Sequence, residues 1–139
     1  MRHAVVIHGI PTPKGRPRVV VIDGKARGLT PKKTRTAIED IKLQLYLNRP
    51  KKLLEGALAV RIAYTLIKPK SARRVYPTVK PDLDNLDKMY LDCMNKIYYK
   101  DDSQICDKVV TKRYGNVDQT IIELITLSDE RPFSLTIPI

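Results

Sequence analysis

The sequence contains no tryptophan and a single phenylalanine. It therefore lacks an aromatic platform of the RRM kind, which disfavours the stacking of unpaired bases. Only two cysteines occur, Cys93 and Cys106, with no CxxC spacing and no histidine near either; the two histidines, His3 and His8, fall in an expected strand. A structural zinc site, a disulfide framework and a Cys/His nucleophilic pair all lack their residues. The two thiols read as core residues of a protein from a reducing compartment. No serine sits in a GxSxG turn, and GIPTPKG lacks the second glycine and the GK[ST] ending of a phosphate loop. No run approaches the roughly 18 apolar residues of a membrane span. The N-terminal stretch is too short for a secretory h-region and no small-residue cleavage site follows, so this segment is expected to belong to the fold of a cytoplasmic protein.

What is present is charge, unevenly placed. The chain has 139 residues, 42% apolar and 29% charged, enough for one domain, 1–139, with its own core. Lys and Arg number 26 against 15 Asp and Glu, for a net charge of +11. Residues 1–81 carry 19 basic and 4 acidic side chains; residues 82–139 carry 7 and 11. A basic portion joined to an acidic cluster suggests a surface for a polyanion beside a pocket that wants cations. No amphipathic helix with a bulky apolar face and a basic rim is visible, which favours nucleic acid over a membrane surface.

Apolar, β-branched runs predict strands at His3–Gly9 and Val19–Asp23, the second ending in a turn at Gly24. Between them IPTPKGRPR is too rich in proline for a helix or a central strand. Thr30-Pro31 opens a helix that runs to about Asn48 on Ile38, Ile41 and Leu45. Alternation predicts a strand at Ala57–Ile67, and the basic, proline-bearing stretch 68–81 reads as a loop. A helix is expected from Asp82 to about Ile97, a turn at Asp101-Asp102, then strands at Ile105–Tyr114 and Thr120–Leu127 joined as a hairpin at Gly115-Asn116. The order ββαβαββ is that of an α+β domain.

The chemistry concentrates between Lys80 and Gly115. Asp82 and Asp84 are two apart, which in extended geometry places both carboxylates on one side of the backbone. Asp84, Lys88 and Asp92 share a helix face, and Asp101-Asp102 lies at a turn able to return toward the helix start. Clustered carboxylates repel unless a divalent cation neutralises them. Oxygen donors without His or Cys select Mg²⁺, with Mn²⁺ possible. A nearby lysine completes the minimum for metal-assisted phosphodiester hydrolysis. Each piece also has a plain structural reading: aspartates as helix caps, Asp84–Lys88 as a solvated i, i+4 pair, Asp101-Asp102 as an ordinary turn.

The run KPDLDNLDK, followed by YYKDDSQI and KRYG, resembles the RusA family of Holliday junction resolvases, endodeoxyribonucleases of bacteria and their phages. PKGRPR and TPKKTR resemble it too, so the likeness extends from about Gly9 to Tyr114. It implies a homodimer of α+β subunits, each a mixed β-sheet flanked by two main helices. Each subunit would carry an aspartate-rich Mg²⁺ site, and the dimer would nick two symmetry-related strands of a four-way DNA junction. Position by position, the motif aspartates fall on Asp82 and Asp84, its asparagine on Asn85, its lysine on Lys88. The later acidic residue falls on Asp102 in preference to Asp101. Asp87 occupies a variable slot and, about 100° around the helix from Lys88, is expected to point away from the site.

On this reading Asp82, Asp84 and Asp102 hold one or two ions and Lys88 contacts the phosphate or orients the nucleophile. Lys14, Arg16, Arg18, Arg73, Arg74 and Lys80 track the DNA backbone. No small-molecule cofactor and no membrane partner is expected. Two rivals stand beside it. One is a restriction-enzyme-like Mg²⁺ nuclease, for which Pro81-Asp82 starts well but no Glu/Asp-x-Lys follows. The other is a basic, non-catalytic nucleic-acid-binding module.

Overall fold

The computed structural model describes residues 1–15, 18–29 and 32–128. In chain order it contains β1 (Arg2–His8), β2 (Arg18–Ile22), β3 (Lys25–Leu29), α1 (Lys32–Leu47), β4 (Leu58–Ile67), α2 (Leu83–Met94), β5 (Ile105–Gly115) and β6 (Gln119–Thr126). A one-turn 3₁₀ segment, Asp102–Gln104, precedes β5. The architecture is α+β, with one mixed four-stranded sheet and two helices.

The sheet runs in the order β1-β6-β4-β5, and only the β4–β5 pair is parallel. Leu58, Val60, Ile62 and Tyr64 of β4 turn one face inward, where they meet Val5 and Ile7 of β1 and Ile122 and Leu124 of β6. Ile41 and Leu45 of α1 and Leu86, Met89, Tyr90 and Met94 of α2 close over that face. Burying each of these large side chains contributes on the order of 1.5–3 kcal/mol. The helices are held in register with the strands by polar contacts at the rim. The Gln44 side-chain amide both accepts from the His8 N–H and donates to the His8 carbonyl, each at 2.8 Å, so α1 completes the edge of β1.

Four expectations are corrected. First, β5 and β6 do not form a hairpin: β4 lies between them, pairing with both. Residues 116–118 instead pass over the end of β4, where the Asp118 carboxylate accepts the Ile67 N–H at 2.9 Å. Gly115 permits this close crossing, because a Cβ there would collide with the Thr65 side chain. Second, the chain has a strand beyond those expected, β3, which pairs with β2 around Asp23-Gly24 as a separate ribbon. Both turn residues have positive φ, at 51° and 74°, as a two-residue hairpin of primed type requires.

Third, α2 ends at Met94 rather than near Ile97. Lys96 adopts a left-handed φ of 66° and its N–H bonds the Tyr99 carbonyl at 2.7 Å. Tyr98 and Tyr99 then turn into the core, their hydroxyls donating to the carbonyls of Leu45 and Leu91 at 2.8 and 2.7 Å. Fourth, the thiols are not a core pair: Cys93 is half-buried and Cys106 exposed. Thr30-Pro31, expected to open α1, lies outside the described residues. No helix among the described residues is long and apolar enough to cross a membrane.

Candidate active site

The helix α2 brings the acidic motif onto the edge of the sheet. Its inward residues bury against β4, which leaves Asp84, Lys88 and Asp92, four apart, along one flank. The 3₁₀ segment after the two buried tyrosines returns Asp102 to that flank, and β5 supplies Lys108. Asp84, Asn85, Asp87, Lys88, Asp92, Asp102 and Lys108 thus line one open cleft of about 330 Å³.

Asp101 and Asp102 have separate tasks. The Asp101 carboxylate accepts the Ser103 N–H at 3.1 Å and caps the 3₁₀ turn, with Gln104 completing the reciprocal pair through the Asp101 N–H. Hydrogen bonds from the Ser103 hydroxyl and N–H hold the Asp101 carboxyl below the usual carboxylate range. Asp102 is the one that reaches the cleft.

Asp82 is not in that cleft. It is the residue before α2, in extended geometry (φ −77°, ψ 148°), and its side chain makes no capping hydrogen bond. It lines the adjoining hollow with Pro11, Pro13, Lys14, Lys80 and Asn85, so Asn85 forms the wall between the two. The helix begins at Leu83, so Asp84 stands inside its first turn and the two aspartates are not an extended pair. Among the described residues, no three His, Cys, Asp or Glu side chains stand together at metal-binding range.

Asp87 corrects the sequence expectation outright. It does not point away; it is only 3% exposed and forms part of the cleft wall. The Tyr64 hydroxyl donates to its Oδ1 at 2.7 Å, and Lys108 Nζ lies 3.2 Å from its Oδ2. Burial first, and then the Asp87 carboxylate, push the Tyr64 phenol well above its usual range, so it remains a donor. Measured from Lys88 the residue turns away, but from Asp84 it is three positions on, one helical turn, and therefore a neighbour.

Basic loops line the Asp82 hollow beside the cleft. The proline-rich N-terminal loop is laid along α2: the Lys14 N–H donates to the Asn85 carbonyl at 3.1 Å, and the Thr12 N–H to the Tyr90 hydroxyl at 3.3 Å. Lys14 Nζ then pairs with Asp92 at 2.8 Å, and that hydrogen bond raises the Lys14 ammonium above its ordinary pKa. On the other side, Lys112 Nζ donates to the carbonyls of Val79 and Pro81 at 2.7 and 2.9 Å, tying the loop before α2 to β5. Lys80 lies on that loop and lines the Asp82 hollow. Arg73 is exposed; Arg74 Nε donates to the Tyr114 hydroxyl at 2.8 Å. Arg18 is the first residue of β2, and Arg16 lies outside the described residues.

Sequence reasoning missed Lys108 and Lys112. Their signal is the alternation Lys108, Val110, Lys112, Tyr114, which puts both lysines on one strand face. The parallel register, Val60 beside Lys108 and Tyr64 beside Lys112, makes it the helix-covered face.

Carboxylates and ammonium groups thus share one open cleft, and two basic loops lie along the adjoining hollow. The profile of one family, Endodeoxyribonuclease RusA, matches residues 8–125. The chain is 31% identical over 121 residues to the Bacillus subtilis (strain 168) protein YqaN, an alignment covering 78% of this chain and 85% of the relative. It is 42% identical over 69 residues to the crossover junction endodeoxyribonuclease rusA of Lactococcus phage r1t, covering 47% of this chain and 53% of the phage protein. The chain belongs to the RusA family of endodeoxyribonucleases.

Proposed function

We propose that this protein, folded as one domain, resolves four-way DNA junctions by paired, symmetry-related nicks, using Mg²⁺ or Mn²⁺ in the cytoplasm of a bacterium. The observation that carries the reading is the cleft itself: Asp84 and Asp102 arrive from separate elements and meet Lys88 and Lys108 beside two basic loops. The phage relative's name points to the same substrate.

The donors fit a hard divalent cation. Asp84, Asp102 and the Asn85 side chain offer oxygen ligands with no competing His or Cys, and one or two carboxylates with several waters is the usual Mg²⁺ arrangement. Asp82, across Asn85, is the third candidate ligand. Bound there, such a cation supplies Lewis acidity toward water and phosphate oxygens. The chain's own groups do the rest. Lys88 contacts the scissile phosphate or orients the attacking water, and Asn85 fixes the wall between the two hollows. Asp101 serves as the cap that sets where Asp102 points. Lys14, Arg16, Arg18, Arg73, Arg74 and Lys80 follow the backbone, giving an affinity that falls steeply with salt.

Two opposed nicks need two clefts, and this chain supplies one, so the working form is a homodimer with two-fold symmetry. The face of the sheet away from the helices offers the surface: Val6 and Val109 are exposed there beside Ala63 and Ile121. The decisive experiment incubates a synthetic mobile junction, labelled strand by strand, with and without Mg²⁺. Paired, ligatable nicks that require the metal are expected. Cutting of linear duplex at an equal rate, or binding without any cleavage, would overturn the reading.

A further inference from the structure

We propose that Lys108 is a second phosphate-contacting lysine of the cleft, aimed by the buried Asp87–Tyr64 pair. This rests on the nuclease reading above and adds to it a residue outside the motif that carries the family resemblance.

Asp87 is costly where it stands. A carboxylate at 3% exposure, on the helix face that packs against β4, is tolerated only when both oxygens are engaged. Tyr64 takes one from the central strand and Lys108 the other from the edge strand. The carboxylate therefore has a fixed direction, and it hands that direction to the lysine. Lys108 differs from Asp87 in being wet: its side chain is 43% exposed and lines the cleft beside Asp84, Lys88 and Asp102. An ammonium has three protons. Asp87 pairs with the ammonium by charge at 3.2 Å, and among the described residues no protein acceptor takes its protons in a hydrogen bond. A phosphate oxygen entering the cleft would find them available.

The placement is complementary to Lys88. That lysine comes from α2 and Lys108 from β5, so the two ammonium groups reach the cleft from different walls. A phosphodiester carries two non-bridging oxygens, and charge builds on both during in-line displacement. One lysine from each wall can serve both oxygens, while Asp87 and Tyr64 keep the second from swinging to solvent. Lys108 is thus a binding residue of the reaction; Asp87 and Tyr64 are positioning residues that act through it.

The test compares Lys108→Met, Lys108→Arg, Asp87→Asn and the double variant Asp87→Asn/Lys108→Met. Junction binding is measured first in EDTA over a salt series, where no cleavage occurs. Lys108→Met is expected to weaken binding by about 3–10-fold and to reduce the slope of log K against log salt by about one, the loss of one phosphate contact. Lys108→Arg should keep the slope. Asp87→Asn, which leaves the lysine but releases it, should fall between wild type and Lys108→Met. The double variant should bind like Lys108→Met, since Asp87 acts only through the lysine. Because Lys108→Met leaves a buried carboxylate unpaired, thermal unfolding is followed as well; the double variant removes that charge and decides the matter if the single variant unfolds. Wild-type slope and affinity in the double variant would overturn the proposal. So would a fall in half-saturating Mg²⁺ on removing Lys108 with binding unchanged, the mark of an ammonium that merely occupies a cation's place. Failure of wild type to cleave any junction would overturn the nuclease reading instead, and would leave the salt slope to report on Lys108.

Discussion

Lys14 Nζ lies 2.8 Å from Asp92 Oδ2, so the first basic loop is fastened by charge to the helix that carries the acidic cleft. The contact joins the two halves of the charge split. An N-terminal segment of strongly positive charge is placed against a C-terminal segment of net negative charge, and Asn85 receives the same loop through its carbonyl. The Lys14 pKa is raised by this partner, so the contribution of the pair is fully present below the ordinary lysine value of 10.5 and is lost as pH rises through the raised one. Titration of the Lys14 ε-methylene by NMR should show a midpoint above the ordinary lysine value of 10.5. In Asp92→Asn it should return to the ordinary value.

Asp102 and Asp101 should separate cleanly by mutation. Asp102→Asn removes a cleft carboxylate and is expected to slow junction cleavage on the order of 10³-fold, a loss of several kcal/mol in transition-state stabilisation. Binding in the same variant should hold or tighten, because a negative charge facing DNA has gone. Asp101→Asn alters a cap and should retain most of its cleavage. Equal losses in both would show that the cap, rather than the cleft carboxylate, limits the reaction.

Tyr64→Phe tests the buried end of the same assembly. The ring still packs, but Asp87 Oδ1 loses its donor in a place water does not reach. Urea unfolding should report a destabilisation of about 1–3 kcal/mol, the cost of leaving a buried acceptor unpaired. A loss near zero would mean that water replaces the hydroxyl.

Lys112→Met should release the loop before α2. Its ammonium bridges two carbonyls, at Val79 and Pro81, immediately upstream of Asp82. Removing it should cost about 1–3 kcal/mol locally and speed proteolysis within residues 68–81. Junction affinity should fall with it, because Arg73, Arg74 and Lys80 lie on that loop.

Val109→Glu places a charge on the uncovered sheet face, where Val109 is 52% exposed. Sedimentation should show a dimer for wild type and a monomer for the variant. Paired nicks should become single, unlinked ones, with the cleft itself untouched. A variant that remains dimeric would move the interface elsewhere.

Much of this molecule can be read from local pattern. The alternation in Ala57–Ile67, the helical spacing of Ile38, Ile41 and Leu45, and the prolines at 11, 13 and within 68–81 each act within a few residues, and the elements formed where they indicated. β3 escaped because Lys-Ala-Arg-Gly-Leu has no apolar alternation; only its turn, Asp23-Gly24, was visible. The early end of α2 escaped because Ile97, three positions after Met94, fits helical spacing as well as it fits a turn. At the site, Asp84, Lys88 and Asp102 were legible as a group, whereas Asp82 faces a neighbouring hollow and Asp87 turns inward.

By itself the amino-acid order determined both helices and all but one of the strands, how charge divides along the chain, and which acidic residues fall within one stretch. Those properties depend on backbone preference and side-chain type over short distances. Only the tertiary structure decided that β4 would lie between β5 and β6. That register carries Lys108 to Asp87 and Lys112 to the loop before Asp82. Such pairings are set by packing across the sheet between residues tens of positions apart, where no local periodicity reaches.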